Sequence, residues 1–305
     1  RGFWRRIQKN RTLICMLFPA LLYVVVFSYI PMFGVTIAFK NYNYNDGILK
    51  SPWCGFDNFE YLKISGKLLD LTKNTLLYNL AFIVFGILFE VGFALMLSEI
   101  TGRVFKKLSQ AFMFLPYFIS WVVVSTVMLN IFGQNGVLSN ILSRFGIQDF
   151  SIYHQVRQWP IVMVAVRLWK QTGYGTVAAG FDCVLYLAAI AGLSQEMFEA
   201  ASIDGAGIFQ KIRYVTIPSL KPTIFIMFLL SVGNIFRGDF GMFYQLMGNN
   251  QLLYETSDVI DTFVYRSPNI GMSAAAGFYQ SVLCFVTIVS VNWIVKKIDP
   301  EYTLF

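Results

Sequence analysis

The sequence predicts an all-α, polytopic membrane protein with about six transmembrane helices, and three observations carry that prediction. Of 305 residues, 56% are hydrophobic and only 13% charged, with a mean hydropathy of +0.57, far from the balance of a soluble domain of this length. Apolar runs of roughly 20 residues recur along the chain, the length that a helix rising ~1.5 Å per residue needs to cross a ~30 Å hydrocarbon core. Lys and Arg gather chiefly beside the ends of these runs, as "RRIQKNR" and "RVFKK" do.

The elements follow in order, as one transmembrane domain over residues 1–305. Residues 1–11 form an N-terminal segment in which "GFWRRIQKN" is amphipathic, its basic residues suited to headgroups and Phe3, Trp4 and Ile7 to insertion. The first span runs from about Thr12 to Thr36. Although Arg5 and Arg6 invite comparison with an export signal, the apolar run is too long and lacks a small-residue cleavage site, so an uncleaved span is expected. The loop 40–73 contains a turn-rich "NYNYNDG" and an aromatic "SPWCGFDNFEYL" that suits a lid or docking surface. The second span covers about Asn74 to Leu97 and the third Ala111 to Phe132. The fourth begins at Pro160 and persists in pieces to Gly192. A fifth starts after Pro222 and is interrupted by "RGDFG" at Arg237 to Gly241, and the sixth runs from about Ser273 to Val295.

Charge sets the expected orientation. If the N-terminus, the loops after the second and fourth spans and the C-terminus share a side, that side holds thirteen Lys and Arg against nine opposite. Both termini and the segment 193–221 are therefore expected in the cytoplasm, with 40–73 outside. The formal net charge of +7 is thus a topology signal, and no nucleic-acid partner is implied. Cys15, Cys54, Cys183 and Cys284 suggest neither a disulfide framework nor a metal site, since three of them fall in spans. His154 reads as a solvated loop residue, and Trp121, Trp159 and Trp293 as interfacial anchors.

Between the fourth and fifth spans lies "EAASIDGAGIFQKIRYVTIP", Glu199 to Pro218, polar and helix-prone. Ser194 can cap a short helix with Glu196 in its first turn, Asp204-Gly205 breaks it, and a second helix continues to Pro218 with Ile208, Ile212 and Val215 on one face. Two short helices at an angle make an elbow. Its small residues let another protein approach the backbone, and Glu199 and Asp204 offer charge to that partner; the alternative is a hairpin lying on lipid.

Four charges fall inside spans: Glu90, Arg167, Lys170 and Asp182. Arg167 and Lys170, three apart and flanking Trp169, read as a sugar-contact patch, with Trp169 stacking on a ring and the cations favouring carboxylated sugars. Against this stands a structural reading in which Arg167 snorkels outward and Lys170 pairs with Glu90 or Asp182. In the broken fifth span, Asn234, Asp239, Phe240 and Tyr244 are candidates for substrate contact, or else belong to an outer gate or loop.

The spacing of Glu199-Ala200-Ala201, three residues, Gly205, nine residues and "VTIP" resembles the EAA loop of ABC-importer permeases, with Val215 and Ile217 replacing the usual Ile and Leu. Further stretches, "FWRRIQKNRTLICMLFPALLYVVVFSYIPMFGVTIAFKNYN", "SPWCGFDNF", "YLAAIAGL", "DVIDTFVYR" and "VNWIVKK", are similar to the maltose-type branch that serves oligosaccharide and polysaccharide importers. One departure, "TVAAGFDC", looks like extra length after "WKQTGYG". The resemblance implies a type I ABC importer permease fold in the bacterial inner membrane. In it Glu199, Ala200, Ala201, Asp204 and Gly205 form the coupling helix that docks on an ATPase subunit. It also implies a second related permease subunit, two ATPase subunits that bind ATP and Mg, and an external solute-binding protein; the substrates of this branch include alginate-type and pectin-derived saccharides.

The chain itself offers no phosphate-binding G-x-x-x-x-G-K-[ST], because Tyr61 stands where Gly66-Lys67 would need the first glycine, so it is expected to be neither an ATPase nor a holder of any cofactor. An ion-coupled secondary transporter leaves the elbow unexplained and shows no inverted repeat. A non-transporting scaffold leaves the polar residues inside the spans unexplained.

Overall fold

The computed structural model describes residues 10–147, 150–171 and 182–298. Among the described residues all regular structure is helical apart from a single bridge between Lys40 and Trp53. The chain divides into two compact units, residues 1–66 with 264–279, and residues 67–263 with 280–305.

The first unit opens with α1 (Arg11–Val24), which continues through a π turn (Val25–Tyr29) and a 3-10 turn (Phe33–Phe39) as one helical rod, Arg11–Phe39. The π turn has a cause in the sequence. Pro31 has no N–H and its ring crowds the carbonyl four residues back, so the preceding turn widens instead of breaking. After the rod, Lys40 Nζ donates to the carbonyls of Ile48 (2.7 Å) and Leu49 (3.0 Å) and lies over the Trp53 ring. The aromatic stretch of the loop forms α2 (Asp57–Ile64), whose Phe59 packs with Phe39, Phe56 and Phe278. Asn58, buried, donates to the carbonyls of Ala38 and Lys40 and so ties the end of the rod to α2.

The second unit is built on α3 (Lys67–Glu99), a single 33-residue helix. Then come α4 (Arg103–Phe114), α5 (Trp121–Phe132), α6 (Val137–Arg144), α7 (Trp159–Gln171) and α8 (Asp182–Ala191). The elbow is α9 (Gln195–Ile203) and α10 (Ile208–Lys211), followed by α11 (Ile217–Gly233) and α12 (Phe240–Met247); α13 (Ile260–Arg266) and α14 (Ile270–Ile298) are each divided between the units, residues 264–279 belonging to the first. One core gathers Tyr78 and Phe82 of α3, Val124 and Met128 of α5, Trp159 and Met163 of α7, and Met242 and Phe243 of α12. Another packs Ala94 and Leu97 of α3 against Cys183 and Tyr186 of α8 and Met227 of α11.

Five helical rods are long and apolar enough to cross a membrane: Arg11–Phe39, Lys67–Glu99, Trp121–Arg144, Ile208–Gly233 and Ile270–Lys297. The expected fourth span is represented by α7 and α8 on either side of 172–181. That gap and the N-terminal amphipathic segment lie outside the described residues, as does most of the "TVAAGFDC" departure.

Three boundaries differ from expectation. The run Ala111 to Phe132 is not one helix: Pro116 converts Leu115–Phe118 to a 3-10 turn, Ile119 is extended, and Ser120 then caps α5 by accepting from the N–H of Val123. The second arm of the elbow does not stop at Pro218. It passes through a π turn (Ile212–Thr216) placed before Pro218 just as the first π turn is placed before Pro31. Pro222, expected to precede the fifth span, lies inside α11, so that span begins at Ile208 instead.

Candidate functional site

The elbow is held by local chemistry. At its bend the N–H of Ala206 bonds the carbonyl of Ala201 (2.9 Å) and the N–H of Gly205 that of Ser202 (3.1 Å), the paired bonds of a Schellman stop. Gly205 takes φ +79°, the left-handed region where a Cβ is penalised. Across the bend, Lys211 Nζ donates to Ser202 Oγ (2.7 Å), and Gln210 Oε1 accepts from the N–H of Gly207 (2.8 Å), so the arms are braced. Ser194 sits at the expected cap position without a capping side-chain bond. Glu199, Ala200, Asp204 and Gly205 are exposed and Ala201 half-buried. Beside them Ile203 (87% exposed) and Phe209 (88%) project apolar surface that the chain itself does not cover. A braced, small-residue bend flanked by two bare hydrophobes suits a protein groove better than solvent.

The second constellation centres on Asp239. Its Oδ1 accepts from the N–H of Met242 (3.1 Å), capping α12. Its Oδ2 accepts from Trp121 Nε1 of α5 (3.2 Å) and lies 3.7 Å from Arg167 Nη1 of α7. One carboxylate thus ties three helices. Arg167 is buried, its guanidinium 4.2 Å from the centre of the Phe82 ring, with Glu90 the further carboxylate acting on it. Lys170, also buried, donates to the carbonyl of Tyr117 (2.8 Å) and lies over the rings of Tyr117 and Trp121. Charges in a low-dielectric setting persist only when partnered in this way.

This arrangement corrects several expectations. Arg167 does not snorkel outward, and Lys170 is held by Tyr117 and Trp121; the Asp182 side chain lies outside what the structure describes. Trp169 is not part of one patch with the two cations. A step of two residues along a helix turns it away from their buried face, and it is 54% exposed. Trp159 is fully buried in the core and Trp121 bonds Asp239, so neither is a membrane-interface anchor, whereas Trp293 remains exposed beneath Lys297. Asn234 folds its amide back to the carbonyl of Leu230 (3.3 Å). Phe240 and Tyr244, one turn apart on α12, stack with centroids 5.2 Å apart.

Sequence reasoning missed the clamp beneath the "RGDFG" break. Asp261 Oδ2 accepts from the N–H of Gly238 (2.6 Å) and from Gln280 Nε2 (2.8 Å), and Gln280 Nε2 also donates to the carbonyl of Phe236 (2.7 Å). A Cβ on Gly238 would lie 2.9 Å from that carboxylate, so the glycine is needed for the approach. Burial pushes the Asp261 carboxyl above its ordinary value, opposed by these two hydrogen bonds and the charge of Arg237. The signal available in the sequence was "DVIDTFVYR", whose role only contact across the fold reveals. Among the described residues no group of side chains has the makings of a metal site.

The profile of the family described as "Binding-protein-dependent transport system inner membrane component" matches residues 82–300. Protein LplB of Bacillus subtilis (strain 168) is 32% identical over 300 residues, covering 97% of this chain and 92% of that protein. The polygalacturonan/rhamnogalacturonan transport system permease protein YteP of the same organism is 30% identical, covering 97% and 91%. A crystal structure of a bacterial ABC transporter involved in the import of the acidic polysaccharide alginate contains a chain that superposes with a TM-score of 0.84 at 30% identity, covering 98% of this chain and all of that one. The helical, multi-pass ABC importer permease fold expected from the sequence is the fold found, and the chain belongs to the family of binding-protein-dependent transport system inner membrane components.

Proposed function

We propose that this permease subunit imports oligosaccharides or polysaccharides, acidic ones in particular, that an external solute-binding protein delivers. Two separate ATPase subunits, which carry the ATP and Mg, drive it, and a second related permease subunit completes the passage. The observation that carries the reading is the braced elbow, in which Glu199, Ala200, Ala201, Asp204 and Gly205 present a rigid bend with exposed Ile203 and Phe209 beside it. The elbow and both termini lie in the cytoplasm, and the loop 40–73 outside. The acidic substrate class draws support from the names of the relatives and from Arg167 and Lys170 near Asp239.

The mechanism is mechanical. Closure of the ATPase pair draws the docked elbows together, and because each elbow continues into the rod Ile208–Gly233, the shift is passed along that rod toward the Asp239 cluster. Nothing in the chain needs to do chemistry. ATP shifts a two-state equilibrium only in so far as the ATPases hold the elbows differently in the two states.

The test uses the assembled transporter in vesicles. Cysteines introduced at residues 199–205 should cross-link to the ATPase subunit, and Glu199→Lys or Gly205→Trp should abolish saccharide uptake with complex assembly intact. Cross-links to lipid alone, or full uptake by both variants, overturn the docking role.

A further inference from the structure

The second unit carries a cavity of about 990 Å³ that the transport reading does not use. It is at the top of the size range of small-molecule sites, large enough for a ligand of lipid size. It runs between α3, α7 and the segment 254–258, and its lining changes character along its length.

One ridge is supplied by Lys73, Leu77, Ala81, Phe85 and Phe89, each four residues after the last and so on one face of α3. From Leu77 to Phe89 this ridge is apolar over roughly 18 Å, close to the ~15 Å hydrocarbon depth of one leaflet. Ile161, Ala165 and Leu168 of α7 form the facing wall, with Ala81 and Ala165 leaving room between the larger side chains. At one end only, the lining turns ionic, with Lys67, Asp70, Lys73, Glu255 and Asp258, the last of which accepts from the Thr262 hydroxyl.

That mouth is preformed. Asn74 Nδ2 donates to the carbonyls of Glu255 (3.3 Å) and Asp258 (3.2 Å), and the Tyr78 hydroxyl meets Ser257 Oγ (2.8 Å) and donates to the carbonyl of Thr256 (3.1 Å). These bonds rivet the 254–258 segment to α3.

We propose that this cavity is a phospholipid site: the acyl chains lie along Leu77 to Phe89, the phosphate meets Lys67 and Lys73, and Asp70 and Glu255 face the ammonium of a zwitterionic head. A saccharide does not suit it, because ring hydroxyls would be stranded against leucine and phenylalanine. A helix of another protein would cover the apolar wall but give the paired lysines no anion. The opposite face of α7, with Arg167 and Lys170, is the one turned into the polar cluster, so the cavity is distinct from the proposed substrate path.

The assembled transporter, reconstituted in vesicles doped with a phosphatidylethanolamine probe carrying a photoreactive acyl chain, tests this. Label should concentrate several-fold on 77–89 and 160–168 relative to the Arg11–Phe39 rod, although the rod is the more exposed of the two. Ala81→Trp, and independently Ala165→Trp, should remove that excess without changing the label on the rod. A phosphatidylglycerol probe should label the groove less, and Lys67→Glu with Lys73→Glu should weaken labelling by both probes. Label no denser in the groove than on the rod, label unmoved by either tryptophan, cross-links to another protein chain instead of lipid, or equal labelling by the two probes would each overturn the proposal.

Discussion

Gly205 and Asp239 show what single residues contribute. A Cβ built on Gly205 meets nothing within 4 Å, so any cost of replacing it comes from its positive φ rather than from a clash. Gly205→Val should therefore cost about 1–2 kcal/mol of local stability and loosen the elbow, while Gly205→Asn, which tolerates the left-handed region, should keep most of the uptake. Saccharide uptake by the two variants at equal complex assembly checks this; equal loss in both would point to contact rather than conformation. Asp239→Ala removes the cap of α12, the acceptor of Trp121 and the partner of buried Arg167 together. It should destabilise on the order of 3 kcal/mol, seen as a lower Tm of the purified complex, whereas Asp239→Asn should retain the cap and suffer less. Asp261 supplies a pH signature. Its carboxyl is raised by burial, so its contribution to stability is fully present below the unfolded carboxylate value near 4 and is lost as pH rises through the folded one. Thermal unfolding across that range should show the loss in the wild type and a flatter profile in Asp261→Asn.

At the scale of elements, the spans were legible because lipid demands a length of apolar residues that nothing else in a chain produces; the first and sixth lie within a few residues of where composition puts them, while the helix of the second starts seven residues earlier, at Lys67, because its polar first turns carry no apolar signal. The elbow was legible because Asp204-Gly205 is a local stop. What was not legible is what depends on partners far along the chain. Pro218 and Pro222 read as boundaries, yet a helix continues through both: a π turn ahead of Pro218 makes room for its ring, and Pro222 lies inside α11. Asp239 read as a substrate-contact candidate or part of an outer gate or loop in a broken span, and nothing in the sequence signals that it meets Trp121, 118 positions away, and Arg167. Restoring an ordinary helical turn by Pro218→Ala should rotate the elbow relative to α11. That should reduce uptake several-fold while co-purification with the ATPase persists; unchanged uptake would mean that the π turn sets no angle that matters.

The second unit as a whole makes sense as a transmission. The rod Ile208–Gly233 starts at the braced elbow, spans roughly 39 Å, and ends at the turn that Asp261 and Gln280 clamp immediately before Asp239. Each end is locked by side chains rather than by backbone alone, so displacement at one end is carried to the other instead of being absorbed. About two thirds of the way along this rod Ile226 is exposed and clear of both ends, and it is the place to break the transmission without touching either lock. Ile226→Pro removes one helical hydrogen bond and kinks the rod, at about 3 kcal/mol, and Ile226→Gly softens it at about 1 kcal/mol with less risk to folding. Both should leave ATPase subunits bound and hydrolysing while saccharide uptake per ATP falls, more for proline than for glycine. Proportional loss of hydrolysis and uptake would instead mean that the rod only supports the dock, and unimpaired uptake in both variants would show that the motion travels by another helix.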